Sequence, residues 1–202
     1  MKVVGLCGGS GSGKSALSGI LAMHGIPVIN ADEVYAELVS GDSACLRELV
    51  AAFGEKILSS QGSLDRETMS SIVFGGDGAA KRRALLNSIT HRYVLEEMRS
   101  RLSAFSASGV SIVAVDVPLL FESGFDKECD LTVAVIADRK LRIDRICARD
   151  HLEREAAERR IDSQLSTDEL MARADYIVRN EGDIDALELE AKKLIDFVTK
   201  QI

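Results

Sequence analysis

Residues 8–15 read Gly8-Gly9-Ser10-Gly11-Ser12-Gly13-Lys14-Ser15, and no other stretch limits the possible folds as tightly. They satisfy the pattern G-x-x-x-x-G-K-[ST], and the flanking residues supply the context that the pattern requires. Residues 2–7 form a short apolar run with the character of a buried strand. Residues 13–23 place Ala16, Leu17, Ile20 and Leu21 at helical spacing. Gly25 stops that helix, and residues 26–29 read as a second strand. A strand, a glycine-rich turn, a helix and another strand make a βαβ unit, so the sheet is expected to be parallel with a right-handed crossover.

The rest of the chain extends this α/β pattern. From about 33 to 106 it is predicted to be helical, with segments at 33–39, 45–53, 66–74 and 79–105 separated by breaks at Gly41, Gly54, Gly62 and Gly75–Gly78. No strand pattern interrupts this block, which reads as a helical insertion between sheet strands. Residues 110–115 and 131–136 are continuous apolar runs, as expected of buried parallel strands. Charged helices are expected at 138–149 and 154–164, a short strand at 176–178 and an amphipathic helix at 184–198. The expected organisation is a core of 1–32, 107–138 and 165–202, a helical subdomain of 33–106 and a lid of 139–164. The fold class is α/β, a three-layer core around a parallel sheet with a helical insertion and a helical lid.

The glycine-rich loop has a definite chemistry. Its glycines admit positive φ and let peptide N–H groups close around phosphate oxygens, while the following helix adds its N-terminal partial charge. On this reading Gly9, Ser10, Gly11, Ser12, Gly13, Lys14, Ser15 and Ala16 bind the phosphates of a nucleoside triphosphate. Lys14 reaches the β- and γ-phosphates, and Ser15 places its hydroxyl on Mg²⁺.

Two carboxylates and three arginines stand out beyond the loop. Asp32 follows the second strand, where ligands of open parallel sheets bind; it suits a base for an attacking hydroxyl, or equally a cap for the next helix. Asp116 closes the run 110–115 and suits a magnesium ligand, or a turn residue before Pro118. Arg142, Arg145 and Arg149 share a helix face and suit a closing lid over a migrating phosphoryl group. The competing reading pairs them with Asp138, Asp144 and Asp150. His91 sits alone on a predicted helix among apolar neighbours, the usual setting of a structural histidine, and the aromatic residues read as core.

Composition removes several function classes. A formal net charge of -7 does not suit a binder of phosphate backbones, which need clustered Lys and Arg. Cys7, Cys45, Cys129 and Cys147 show no ligand spacing for zinc and fit a reducing compartment. No run approaches membrane-spanning length. The expectation is a cytoplasmic protein acting on small molecules.

Read together, the motifs resemble the dephospho-coenzyme A kinase family over nearly the whole chain. The resemblance is carried by the segment from Gly5 to Ser15, and by Val28-Ile29-Asn30-Ala31-Asp32, with Asn30 replacing the first acid of a D-A-D segment. It continues in Leu64-Asp65-Arg66, Ile72-Val73-Phe74 and Asp116-Val117-Pro118-Leu119-Leu120-Phe121-Glu122, the last of these quite specific. It closes with Arg145 and Arg149, Arg160-Ile161 with Gln164, and Ala174 to Val178 with Asn180. Arg92 stands where the family usually has proline, and Arg142 where glutamine is common. The resemblance implies transfer of the ATP γ-phosphoryl to the ribose 3′-hydroxyl of dephospho-coenzyme A. Asp32 then falls on the base, Lys14, Arg145 and Arg149 on the transferred group, and Asn180 on the nucleotide. Asp32, His91, Pro118 and Leu119 fall on the acceptor side. Another small-molecule kinase, with a nucleoside, nucleotide or sugar acceptor, is the nearest alternative. A guanine-nucleotide switch would need an N-K-x-D motif, which the chain lacks.

Overall fold

The computed structural model describes residues 1–200; residues 201–202, the end of the core range expected from sequence, lie outside them. Strand β1 (Lys2–Cys7) leads through the glycine-rich loop into helix α1 (Lys14–Met23), and β2 (Val28–Asn30) follows. Helices α2 (Ala31–Leu38), α3 (Ala44–Phe53), α4 (Arg66–Phe74) and α5 (Ala79–Ala107) come next. The chain then returns to β3 (Ile112–Asp116), β4 (Leu131–Ile136), α6 (Arg139–Asp150), α7 (Arg154–Asp162), α8 (Thr167–Arg173), β5 (Tyr176–Arg179) and α9 (Ile184–Thr199). The strand order is β2-β3-β1-β4-β5, with β1 parallel to both β3 and β4, and β4 parallel to β5. The strand order doubles back at β1. Its C-terminal end therefore lies at a topological switch point, where open α/β sheets place their ligands.

The chain divides into two compact units. One comprises Met1–Ile29 and the chain from Phe105 onward; the other is Asn30–Ala104. The residues expected to form a separate lid fall within the first. Its core packs Val4 and Leu6 of β1, Val133 and Val135 of β4 and Val178 of β5 against Leu17, Ile20 and Leu21 of α1 and Leu187, Ala191 and Leu194 of α9. Burying a side chain of this size contributes about 1.5–3 kcal/mol. In the helical unit, Cys45, Leu46, Leu49, Ile57, Met69, Val73 and Ile89 form a core of their own. A smaller cluster of Ile143, Ile146, Ala157 and Ile161 joins α6 to α7.

Several elements differ from the sequence expectation for identifiable reasons. Strand β2 begins at Val28 because Pro27 has no N–H for a ladder and the Ile26 N–H closes the end of α1 on Leu21 O at 3.0 Å. Strand β3 begins at Ile112 because the Val110 N–H closes the end of α5 on Phe105 O at 3.1 Å. Helix α8 was not expected, although Ser166 and Glu169 form a capping box that is visible in the sequence. The aromatic residues are not all core, since Phe74 is 67% exposed and no tyrosine is fully buried.

Candidate active site

The glycine-rich loop is held from outside by its carbonyl groups. Ser10 O accepts from Arg142 Nε at 2.9 Å, Gly11 O from Arg145 Nη1 at 3.4 Å and Ser12 O from Asn180 Nδ2 at 2.8 Å. Gly11 and Gly13 have φ values of 76° and 93°, a region that L side chains rarely adopt. With three successive carbonyls committed outward, the Gly11 and Gly13 amides are left to the inner side. The first-turn amides of Ser15 and Ala16 join them, because a helix gives its first N–H groups no internal acceptor.

Helix α1 has no side-chain cap and no acidic residue in its first turn. Its positive end therefore opens, unmatched by protein, on a cavity of about 570 Å³ lined by Gly9, Ser10, Gly11, Gly13, Lys14, Ser15, Ala16, Arg145, Ala148 and Arg149. Peptide amides, a helix N-terminus and three cationic side chains around one cavity make a site for a polyphosphate. Ser15 is exposed and lines this cavity, and its hydroxyl makes no hydrogen bond among the described residues. An unspent oxygen of that kind fits Mg²⁺, a hard cation that takes oxygen ligands.

Lys14 lines the cavity, and its ammonium is ion-paired with Asp116 Oδ1. Asp116 is 1% exposed. Its second oxygen accepts from Ser18 Oγ at 3.0 Å. Ser18 was missed in the sequence, although a hydroxyl beside Leu17, Ile20 and Leu21 on the buried face of α1 was the available signal. The turn-residue reading of Asp116 gives way here, because a buried carboxylate needs partners and this one has them from the loop helix.

The three arginines part company. Arg142 is buried and grips the loop backbone; burial and nearby Arg139 hold its pKa below the usual guanidinium value. Arg145 lines the cavity, and Nη1 also donates to Asn180 O at 3.1 Å. Arg149 lines the cavity, is exposed and pairs with Asp150 at 2.7 Å. Only Arg149 makes one of the competing acidic pairs, since Asp138 caps α6 and Asp144 pairs with Arg154. Ser12 and Asn180 do not line the cavity. Both are buried behind the loop, where the Ser12 N–H turns back to Gly9 O at 3.1 Å.

Pro118 and Leu119 are exposed and line a narrow cleft of about 30 Å³ beside Cys7, Gly8 and Gly9. Burial pushes the Cys7 thiol up to about 12. In the helical unit, Asp32 is exposed in the first turn of α2. The cap there is Asn30, whose side chain accepts from the Asp32 and Glu33 amides at 2.8 and 3.2 Å. The capping reading of Asp32 is therefore corrected, and its carboxylate is unspent. His91 is exposed on α5, so it is not a core histidine.

Comparison with known proteins agrees with this architecture. The dephospho-CoA kinase family model matches residues 2–186. A dephospho-CoA kinase of Corynebacterium glutamicum is 36% identical over 199 residues, 98% of each chain. The crystal structure of a Thermus thermophilus protein superposes with a TM-score of 0.78 at 29% identity, covering 96% of each chain. A dephospho-CoA kinase structure from Campylobacter jejuni superposes with a TM-score of 0.75 at 25% identity, covering 100% of this chain and 99% of the other. A strand–loop–helix phosphate site at the sheet's switch point, a match to the family model along nearly the full length and relatives aligned end to end lead to one conclusion: the chain belongs to the dephospho-CoA kinase family.

Proposed function

We propose that this kinase transfers the γ-phosphoryl group of ATP to the ribose 3′-hydroxyl of dephospho-CoA, giving CoA and ADP, with the residues above in distinct roles. The observation that carries the reading is the uncapped, acid-free N-terminus of α1, which opens on a cavity lined by Lys14, Arg145 and Arg149. The loop from Gly9 to Ala16 cradles the phosphates, chiefly through the amides of Gly11, Gly13, Ser15 and Ala16, while Ser12 and Asn180 hold the loop in shape from behind. Lys14 exchanges Asp116 for the β- and γ-phosphates when ATP enters. Ser15 and Asp116 would hold Mg²⁺, which when bound neutralises charge developing on the phosphates.

Arg145 and Arg149 meet the transferred group with directional donors. Asp32 receives the proton of the attacking hydroxyl. Its carboxylate is unspent, because Asn30 caps α2 in its place. His91, Pro118 and Leu119 contact the acceptor. Four free cysteines support a reducing, cytoplasmic setting. The net charge of -7 favours small anionic substrates held by local cations over nucleic acid.

The test is turnover with ATP, Mg²⁺ and dephospho-CoA beside a panel of nucleoside and sugar acceptors. CoA and ADP should form in equal amounts, with dephospho-CoA the preferred acceptor. Faster phosphorylation of another acceptor overturns the assignment.

A further inference from the structure

Arg142 has an unusual position for a charged side chain. It is 4% exposed, and no carboxylate pairs with it among the described residues. Its partners are neutral: Nε donates to Ser10 O at 2.9 Å and Nη2 to Gln164 Oε1 at 3.5 Å. The same Gln164 oxygen accepts the Ser10 N–H at 2.9 Å, and Gln164 Nε2 donates to Ser10 Oγ at 3.2 Å. Ser10 is thus gripped at its carbonyl, its amide and its hydroxyl by two residues, one on α6 and one just past α7. Helix α6 also crowds the loop. A Cβ at Gly11 would lie 2.5 Å from Arg142 O, and one at Gly9 would strike the guanidinium.

We propose that Arg142 is a positioning residue for nucleotide binding, a buried guanidinium that fixes the outer turn of the phosphate loop and lends it a positive charge that the protein does not neutralise. The proposal rests on the reading of the cavity as the phosphate site. Hydrogen bonding alone does not require an ion here, since a neutral amide supplies donors for a carbonyl and a side-chain oxygen. Burying a guanidinium without an anion costs stability, and Arg139 on the same helix adds like charge. The missing anion is what a triphosphate on the inner face of Gly9, Ser10 and Gly11 supplies. A charge fixed in place before the ligand arrives needs no reorganisation to act.

The experiment measures Kd for AMP, ADP and ATP, and the unfolding temperature without ligand, for the full-length protein, Arg142→Gln and Arg142→Lys. Arg142→Gln should weaken ATP binding on the order of tenfold, the scale of a charge pair acting across the loop at about 10 Å and an effective dielectric constant of about 20. ADP should lose less and AMP least, with the ligand-free unfolding temperature unchanged or raised. Arg142→Lys should retain most of the ATP affinity. A loss equal for all three nucleotides, or one that tracks a lowered unfolding temperature, makes Arg142 a structural strut and overturns the proposal. Should Arg142→Gln not fold, Arg142→Met is read by the same criteria, and the lysine variant tests charge retention independently. Wild-type protein that binds none of the three nucleotides rejects the phosphate-site reading itself. Normal wild-type binding with a flat ratio across the series rejects the role of Arg142 alone.

Discussion

Helices α1 and α2 both follow strands of the sheet, but their N-termini are finished in opposite ways. In α2 the Asn30 side chain takes two orphan amides, and Asp32 and Glu33 complement the helix dipole. In α1 the cap position is Gly13, with no side chain to offer, and the first turn holds no acid. One end is completed by its own sequence; the other is left for an anion. The completed end also leaves a carboxylate free of hydrogen-bonding duty, because Asn30 rather than Asp32 accepts the capping amides. The difference teaches that an unmet local need, in a chain that meets the same need elsewhere, marks where a ligand belongs.

The contrast can be broken at four points. The largest effect is expected from Asp32→Asn, which keeps the shape and removes the basicity. Steady-state turnover should fall roughly 10²- to 10⁴-fold with ATP binding preserved, the range for a general base. Near-normal turnover here, together with severe impairment in Asp116→Asn, would move the base to Asp116. Lys14→Ala should fold, as circular dichroism can verify, and lose roughly 10²- to 10³-fold in kcat, the cost of one preorganised charge-stabilising group. An active Lys14→Ala enzyme would remove the lysine from the phosphates.

Ala16→Glu puts into α1 the first-turn acid that α2 already has. It should raise ligand-free stability by about 0.3–1 kcal/mol, as a dipole-complementing charge does, and yet weaken ATP binding about tenfold by repulsion. Stability and affinity that fall together would remove the contrast. The smallest effect concerns Asp65, the cap of α4. Backbone and hydroxyl hydrogen bonds from Thr68, with the Glu67 amide beside them, hold its carboxyl below the ordinary aspartate value. Its folded pKa is depressed, so its contribution is complete above the unfolded value and disappears as pH falls through the folded one. Urea midpoints of wild type and Asp65→Asn should therefore differ at pH 6 and converge as pH drops below about 3.8, the unperturbed aspartate range.

Much of this site is written locally, and that part was readable. The loop pattern, the apolar runs of β1, β3 and β4, and the arginine spacing on α6 are each set by residues adjacent in the chain. What escaped depends on partners far apart in sequence. Arg142 and Arg145 look alike on a helical projection. They differ only because Ser10 lies beneath one and the cavity beside the other. Asp32 was read as a possible cap, and the backbone instead puts Asn30, two residues earlier, at the cap position. Ser18 became meaningful only when β3 brought Asp116 beside it. Phe74 illustrates the opposite error, since its hydrophobicity implies burial but its place at the end of α4 leaves it 67% exposed.

Gly9 and Gly11 occupy positions that the motif leaves open to any residue. Here the α6 backbone at Arg142 leaves no room for a methyl group at Gly11, which also has a left-handed backbone, and a methyl group at Gly9 would push the Arg142 guanidinium off the loop. The loop is therefore not a portable cassette. A loop transplanted from another protein with the same G-x-x-x-x-G-K-S signature but bulkier open positions would not seat unless its companion helix came with it. In this chain the unit of inheritance, or of engineering, is the loop together with the stretch around Arg142, two pieces separated by more than half the sequence.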